Sequence, residues 1–135
     1  MPTLIDTGPI VASLNQRDPH HAACRAAFKA VEPRAYTCWP VITEAVYLLG
    51  DWSPSTEKLI DLLRTKTLEI LPIEVADLDG IETILSKYSD QKFQLADATL
   101  MYLADRENIE QVLTLDRKDF GIFRTKSGRA LQVLP

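Results

Sequence analysis

Short apolar runs alternate with stretches of helical periodicity along the whole chain. The runs are Leu4-Ile5, Ala35–Cys38, Leu68–Ile73, Gln111–Leu115 and Ala130–Leu134. Strands that alternate with helices specify an α/β fold, a mostly parallel sheet covered on both faces and joined by right-handed crossovers. At 135 residues and 46% hydrophobic content, the chain has enough apolar surface for one core. One domain over residues 1–135 is therefore expected.

The helical intervals carry recognisable start signals. Pro9 opens a helix to Leu14, and Asp18-Pro19 supplies a cap and first residue for a second helix. Ala22, Ala23, Ala26, Ala27, Phe28 and Val31 form that second helix's expected apolar face. Trp39-Pro40 starts Val41–Leu49, whose apolar composition predicts a helix buried almost all round, with Glu44 as the exception. Ser53-Pro54 caps a further helix. Glu74–Tyr88 should bury Val75, Leu78, Ile81, Ile84 and Leu85 and leave Asp77, Asp79 and Glu82 solvated. His20 and His21 are adjacent, so they cannot both face one metal from a helix; capping or solvent-facing roles are expected.

Charge and composition exclude several classes. A net charge of −4 and a pI near 5.1 argue against a generic nucleic-acid binder, whose domain pI usually lies above about 9. No basic segment precedes an apolar stretch near Met1, and no apolar run is long enough to span a bilayer. A cytoplasmic protein without signal peptide or membrane contact is expected. Cys24 and Cys38 lack metal-ligand spacing and read as buried, reduced thiols.

Four acids stand out against this background. Asp6 and Asp116 end strand patterns, while Glu44 and Asp97 sit on unusually apolar helices. The crevice beyond the carboxyl ends of parallel strands, where strand order reverses, is where such sheets bind ligands. All four acids could meet there. At about 4 Å and an effective dielectric of about 20, each pair would repel by about 4 kcal/mol, so the cluster must take up protons or cations. Oxygen-only ligands favour Mg²⁺ or Mn²⁺ over zinc, and such an ion is commonly completed by substrate phosphate, which points to phosphoryl-transfer or phosphodiester chemistry. Plainer roles remain open for each residue. Asp6 or Thr7 would suit a helix cap, Glu44 a solvent stripe, and Asp97 the helix dipole. Arg117, Lys118, Arg124, Lys126 and Arg129 follow Asp116 with only Asp119 opposing them. They could grip substrate phosphates on one rim or be ordinary solvated surface. Asp119 reads as a cap for the next helical turn.

Leu4-Ile5-Asp6-Thr7, Val41-Ile42-Thr43-Glu44-Ala45, Leu95-Ala96-Asp97-Ala98 and Leu113-Thr114-Leu115-Asp116-Arg117-Lys118-Asp119-Phe120 together resemble the PIN domain, in particular its VapC-type ribonuclease toxins. The resemblance runs the length of the chain. It implies a three-layer α/β/α sandwich with five strands in the order 3-2-1-4-5. It also implies Mg²⁺- or Mn²⁺-dependent endonucleolytic cleavage of RNA leaving 5′-phosphate and 3′-hydroxyl ends, a homodimer and a small antitoxin partner. Carried over by position, Asp6, Glu44, Asp97 and Asp116 would be the catalytic, metal-binding acids. Thr114 and Thr7 would stand behind them, Asp119 would be structural, and Asp90 is an outlying candidate for the rim. An aspartyl phosphatase would want an acid two residues after Asp6, where Gly8 stands. A receiver domain would want adjacent acids early in the chain, which are missing. The alternative from another class is a module of the same fold that binds RNA or protein without turnover.

Overall fold

The computed structural model describes residues 1–31 and 33–135. In chain order the elements are β1 (Thr3–Ile5), α1 (Thr7–Leu14), α2 (His21–Val31), β2 (Ala35–Thr37), α3 (Trp39–Leu49), α4 (Pro54–Arg64), β3 (Leu68–Ile70), α5 (Leu78–Lys87), α6 (Leu95–Glu107), β4 (Gln111–Leu113), α7 (Arg117–Ile122) and β5 (Gln132–Leu134). The strands form one parallel sheet in the order 3-2-1-4-5. β1 lies at the centre because its side chains are apolar on both faces: Leu4, Ile5 and their β4 neighbours Val112 and Leu113 are all fully buried. Two-sided burial of this kind is the mark of a parallel sheet covered by helices above and below. On the helical layers, α1 packs on α2, α3 and α4, while α5 packs on α6.

Strand order places the chain's switch point between β1 and β4. The β2 and β3 crossovers run to one side of β1, and β4 and β5 lie on the other. Each strand has only three residues, yet the ladder continues past the sheet's upper edge. Asp6 N–H donates to Leu113 O at 2.9 Å, and Thr114 N–H to Leu134 O at 2.9 Å. Across the β1–β2 pair, the buried Thr37 hydroxyl donates to Ile5 O at 2.9 Å. Residues at this edge therefore inherit the rigidity of the sheet.

Several helical faces differ from the expected ones. On α2 the buried residues are Cys24 and Phe28, while Ala22, Ala23 and Ala26 are exposed. Alanine is too small to fix a helix's rotation when larger side chains compete for the core. The helix also begins later than Pro19. Asp18 Oδ1 accepts the His20 N–H, and the His21 ring nitrogen meets Ala12 O at 2.8 Å, tying α2 to α1. On α3, Tyr47 and Leu48 are 79% and 57% exposed, so the helix is apolar beyond what its own core buries. Val75 and Leu78 face solvent as well. Asp77 instead turns inward, accepting the Tyr102 hydroxyl and an Arg106 N–H. No described helix is long and apolar enough to cross a membrane.

Candidate active site

The carboxyl ends of β1 and β4 deliver Asp6 and Asp116 side by side, and one hydroxyl joins them. Thr114, fully buried, donates to Asp6 Oδ2 at 2.7 Å and accepts the Asp116 N–H at 3.0 Å. Asp6 is therefore more than a cap: its side chain makes no capping bond to α1 and is held by Thr114 instead. Burial raises the Asp6 pKa, Glu44 and Asp116 raise it further, and the Thr114 and Thr7 donors oppose the shift. Beside it, the buried Thr7 hydroxyl has no hydrogen-bond partner among the described residues.

Asp97 enters the same crevice from the first turn of α6. Gln94 and Asp97 cap each other: the Gln94 N–H donates to Asp97 Oδ2 at 3.3 Å, and the Gln94 side chain receives the Asp97 N–H. This fixes the carboxylate at a helix N-terminus, where the dipole favours negative charge. Burial and the neighbouring acids win nonetheless. Desolvation first, with Asp6, Asp116 and Asp119 adding repulsion, pushes the Asp97 pKa up to about 7. An acid so placed titrates near neutrality instead of about three orders of magnitude below it.

Asp119 has a larger place than its sequence suggested. Asp116 caps α7, its Oδ1 accepting the Asp119 N–H at 3.0 Å, so the capping role belongs to Asp116. This turn carries the Asp119 side chain into the cluster. One carboxylate oxygen each from Asp97, Asp116 and Asp119 lie within 4.8 Å of one another. Burial and the adjacent Asp116 raise the Asp119 pKa. The signal was available in the spacing, since acids three apart across a helix start lie on one side of the first turn. Glu44 stands outside this trio, half-buried on α3, near enough to Asp6 to disfavour its charge. α3 and α6, which carry Glu44 and Asp97, are in contact.

The donor set fits a hard divalent cation. Three clustered carboxylates supply only oxygen, with burial and mutual repulsion that a cation would relieve. Cys38, close to Asp6, is no rival nucleophile, because burial pushes its thiol up to about 12.

The expected basic rim divides. Lys118 lies by Asp119 and tempers its pKa, and Arg117 donates to the Pro135 carbonyl. Arg124, Lys126 and Arg129 instead lie on the α7–β5 connection, lining a groove along α5 and the C-terminal half of α6 that none of the site's acids touches. Asp90 is an exposed residue of a short helical turn, its carboxylate accepting from Gln91.

Comparison with known proteins agrees with this geometry. Ribonuclease VapC26 of Mycobacterium tuberculosis (strain ATCC 25618 / H37Rv) is 29% identical over 134 residues, covering 98% of this chain and 99% of that protein. The crystal structure of M. tuberculosis VapC20, described as a sarcin-ricin loop cleaving toxin, superposes with a TM-score of 0.82 at 16% identity, over 98% of this chain and 99% of that one. A toxin–antitoxin complex from Klebsiella pneumoniae contains a chain that superposes with a TM-score of 0.67 at 19% identity, over 90% of this chain and 92% of its own. The PIN domain pattern matches residues 3–124, and with that span, the 3-2-1-4-5 sheet and acids gathered at its switch point, this chain belongs to the PIN-domain family.

Proposed function

We propose that this protein is a metal-dependent endoribonuclease that hydrolyses RNA phosphodiester bonds, and that it is the toxin of a toxin–antitoxin pair. The observation that carries the reading is the gathering of Asp97, Asp116 and Asp119 within 4.8 Å, beside an Asp6 anchored by Thr114. The likeness to a ribonuclease named VapC26 supports it.

In this reading Asp6, Glu44, Asp97 and Asp116 hold Mg²⁺ or Mn²⁺, and Asp119 joins them. When bound, such an ion supplies Lewis-acid neutralisation of phosphate charge and a more acidic water. The chain's own part is placement. Thr114 keeps Asp6 and Asp116 in fixed relation, and the Gln94–Asp97 caps fix Asp97 at the helix start. Lys118, at the start of α7, offers positive charge to phosphates next to the scissile bond. On α3 and the turn after it, Trp39, Tyr47, Leu48 and Trp52 are each exposed. Exposed large apolar side chains are candidates for association, and we assign these to contact with the antitoxin or with a second copy of the chain. The site of action is the cytoplasm, where RNA is met.

The test is incubation of antitoxin-free protein with total cellular RNA and Mn²⁺. Discrete cleavage is expected, lost in EDTA, with 5′-phosphate and 3′-hydroxyl ends shown by ligation and phosphatase treatment. Intact RNA in every metal condition would leave the binding-module alternative in its place.

Thr114→Val offers a finer check. Valine keeps the shape but removes the donor to Asp6 and the acceptor for Asp116. A loss of about 1–3 kcal/mol in thermal melting is expected, with Mn²⁺ affinity in calorimetry reduced about 10- to 100-fold. Unchanged affinity would show that Asp6 needs no anchor.

A further inference from the structure

The cations missing from the acid site are gathered elsewhere. A groove of about 760 Å³ runs between α5, the C-terminal half of α6 and the α7–β5 connection. Its charged lining is Lys87, Arg106, Arg124, Lys126 and Arg129 against Asp105 and Glu110, a net +3 on a chain of net −4. Some of this charge is already engaged. Arg129 pairs with Glu110 at 3.1 Å, and Arg106 with Asp77 and Glu107. Asp105 spends its carboxylate on the Lys126 backbone N–H at 3.1 Å, which shapes the loop. Lys87, Arg124 and Lys126 form no ion pair among the described residues, and the Arg124 guanidinium meets only the Gly121 and Phe123 carbonyls. The Lys87 ammonium sits 5.4 Å over the Tyr88 ring.

We propose that this groove is a second RNA-binding site, gripping the phosphate backbone of the substrate away from the bond being cut. The inference rests on the ribonuclease reading and adds to it how the substrate is held. A cluster of carboxylates on an acidic protein repels a polyanion, and positive charge segregated onto another face offsets that repulsion. The groove is such a face. Arg106 lies nine residues along α6 from Asp97, about 13 Å at 1.5 Å per residue. A folded RNA spans that distance readily, whereas a very short strand held at the acids does not reach it. Backbone contacts across this gap would favour structured RNA, which is recognised largely through shape and phosphates.

The probe is a fluorescein-labelled stem–loop RNA, titrated by anisotropy over a range of KCl concentrations. Binding to Asp97→Asn protein, which is silent in cleavage, is compared with the same protein carrying Lys87→Gln and Lys126→Gln. Neutralising the groove should weaken binding about tenfold at low salt and flatten the salt slope by roughly one for each lysine lost. In the otherwise unchanged enzyme, the two lysine substitutions should raise KM for the stem–loop and leave cleavage of a dinucleotide as it was. Unaltered affinity and salt slope overturn the proposal while leaving the nuclease reading intact if cleavage persists. Absence of cleavage by the parent enzyme defeats the nuclease reading instead, and the anisotropy result still decides the groove. If the lysine substitutions abolish binding of polyglutamate and leave RNA binding unchanged, the groove serves an acidic protein segment and the proposal fails.

Discussion

Asp97→Asn is expected to lower RNA cleavage by at least about 10³-fold, with the protein still folded. Asparagine keeps the size of the side chain and an oxygen able to receive the Gln94 N–H, so the α6 cap survives. What goes is one negative charge from the cluster proposed to hold the metal. A second consequence follows from the raised Asp97 pKa. At neutral pH and without metal, the charged Asp97 is a burden on the folded state, so its neutral replacement should melt at a higher temperature than the parent. Single-turnover cleavage and thermal melting on the same preparation check both. Activity within tenfold of the parent would remove Asp97 from the catalytic group.

Metal-free protein should lose stability as pH rises from about 4 to about 7, and saturating Mn²⁺ should reverse that trend. Asp97 titrates at about 7 in the folded chain and from a reference of 3.8 otherwise. Between those values the folded state holds a proton that the unfolded state has released, so raising pH favours unfolding throughout the window. A shift of about three units sets a ceiling of about 4 kcal/mol, and solvent screening of this partly exposed carboxylate brings the effect to a fraction of that. Asp6, also raised, pushes in the same direction. A cation bound by the ionised acids competes with those protons, so its stabilisation grows with pH. At a hundredfold excess over Kd it amounts to about 2.7 kcal/mol. Melting curves at several pH values, with EDTA and with Mn²⁺, should therefore cross or diverge. Parallel curves, or an unchanged slope in Asp97→Asn, would break the link between Asp97 and the metal.

Hydrophobic pattern made the strand and helix alternation readable, because three-residue strands buried on both faces leave apolar runs such as Leu4-Ile5 and Val112-Leu113. The order 3-2-1-4-5 came with the family resemblance; periodicity alone carries no strand order. The placement of Asp119 was harder, because which acid caps α7 depends on where the helix starts, and Asp116, its N–H held by the Thr114 hydroxyl, takes that place. Nearness in sequence misled for the cations. Arg117 and Lys118 stay by the acids, but α7 carries the chain away, and Arg124, Lys126 and Arg129 reach another face. Likewise, the apolar α3 pattern could not distinguish a core helix from one with a side left open, as Tyr47 and Leu48 are.

The hydrogen bond from Thr114 to Asp6 joins residues 108 positions apart. Contacts this distant close late in folding, since the intervening chain must be ordered first. During synthesis Asp6 leaves the ribosome about a hundred residues ahead of β4, its neighbour in the sheet. Until then β1 has one flank unpaired and the crevice has no second wall. A nascent chain carrying Asp6, Glu44 and Asp97 therefore lacks the crevice that gathers these acids until the stretch through Asp119 has emerged.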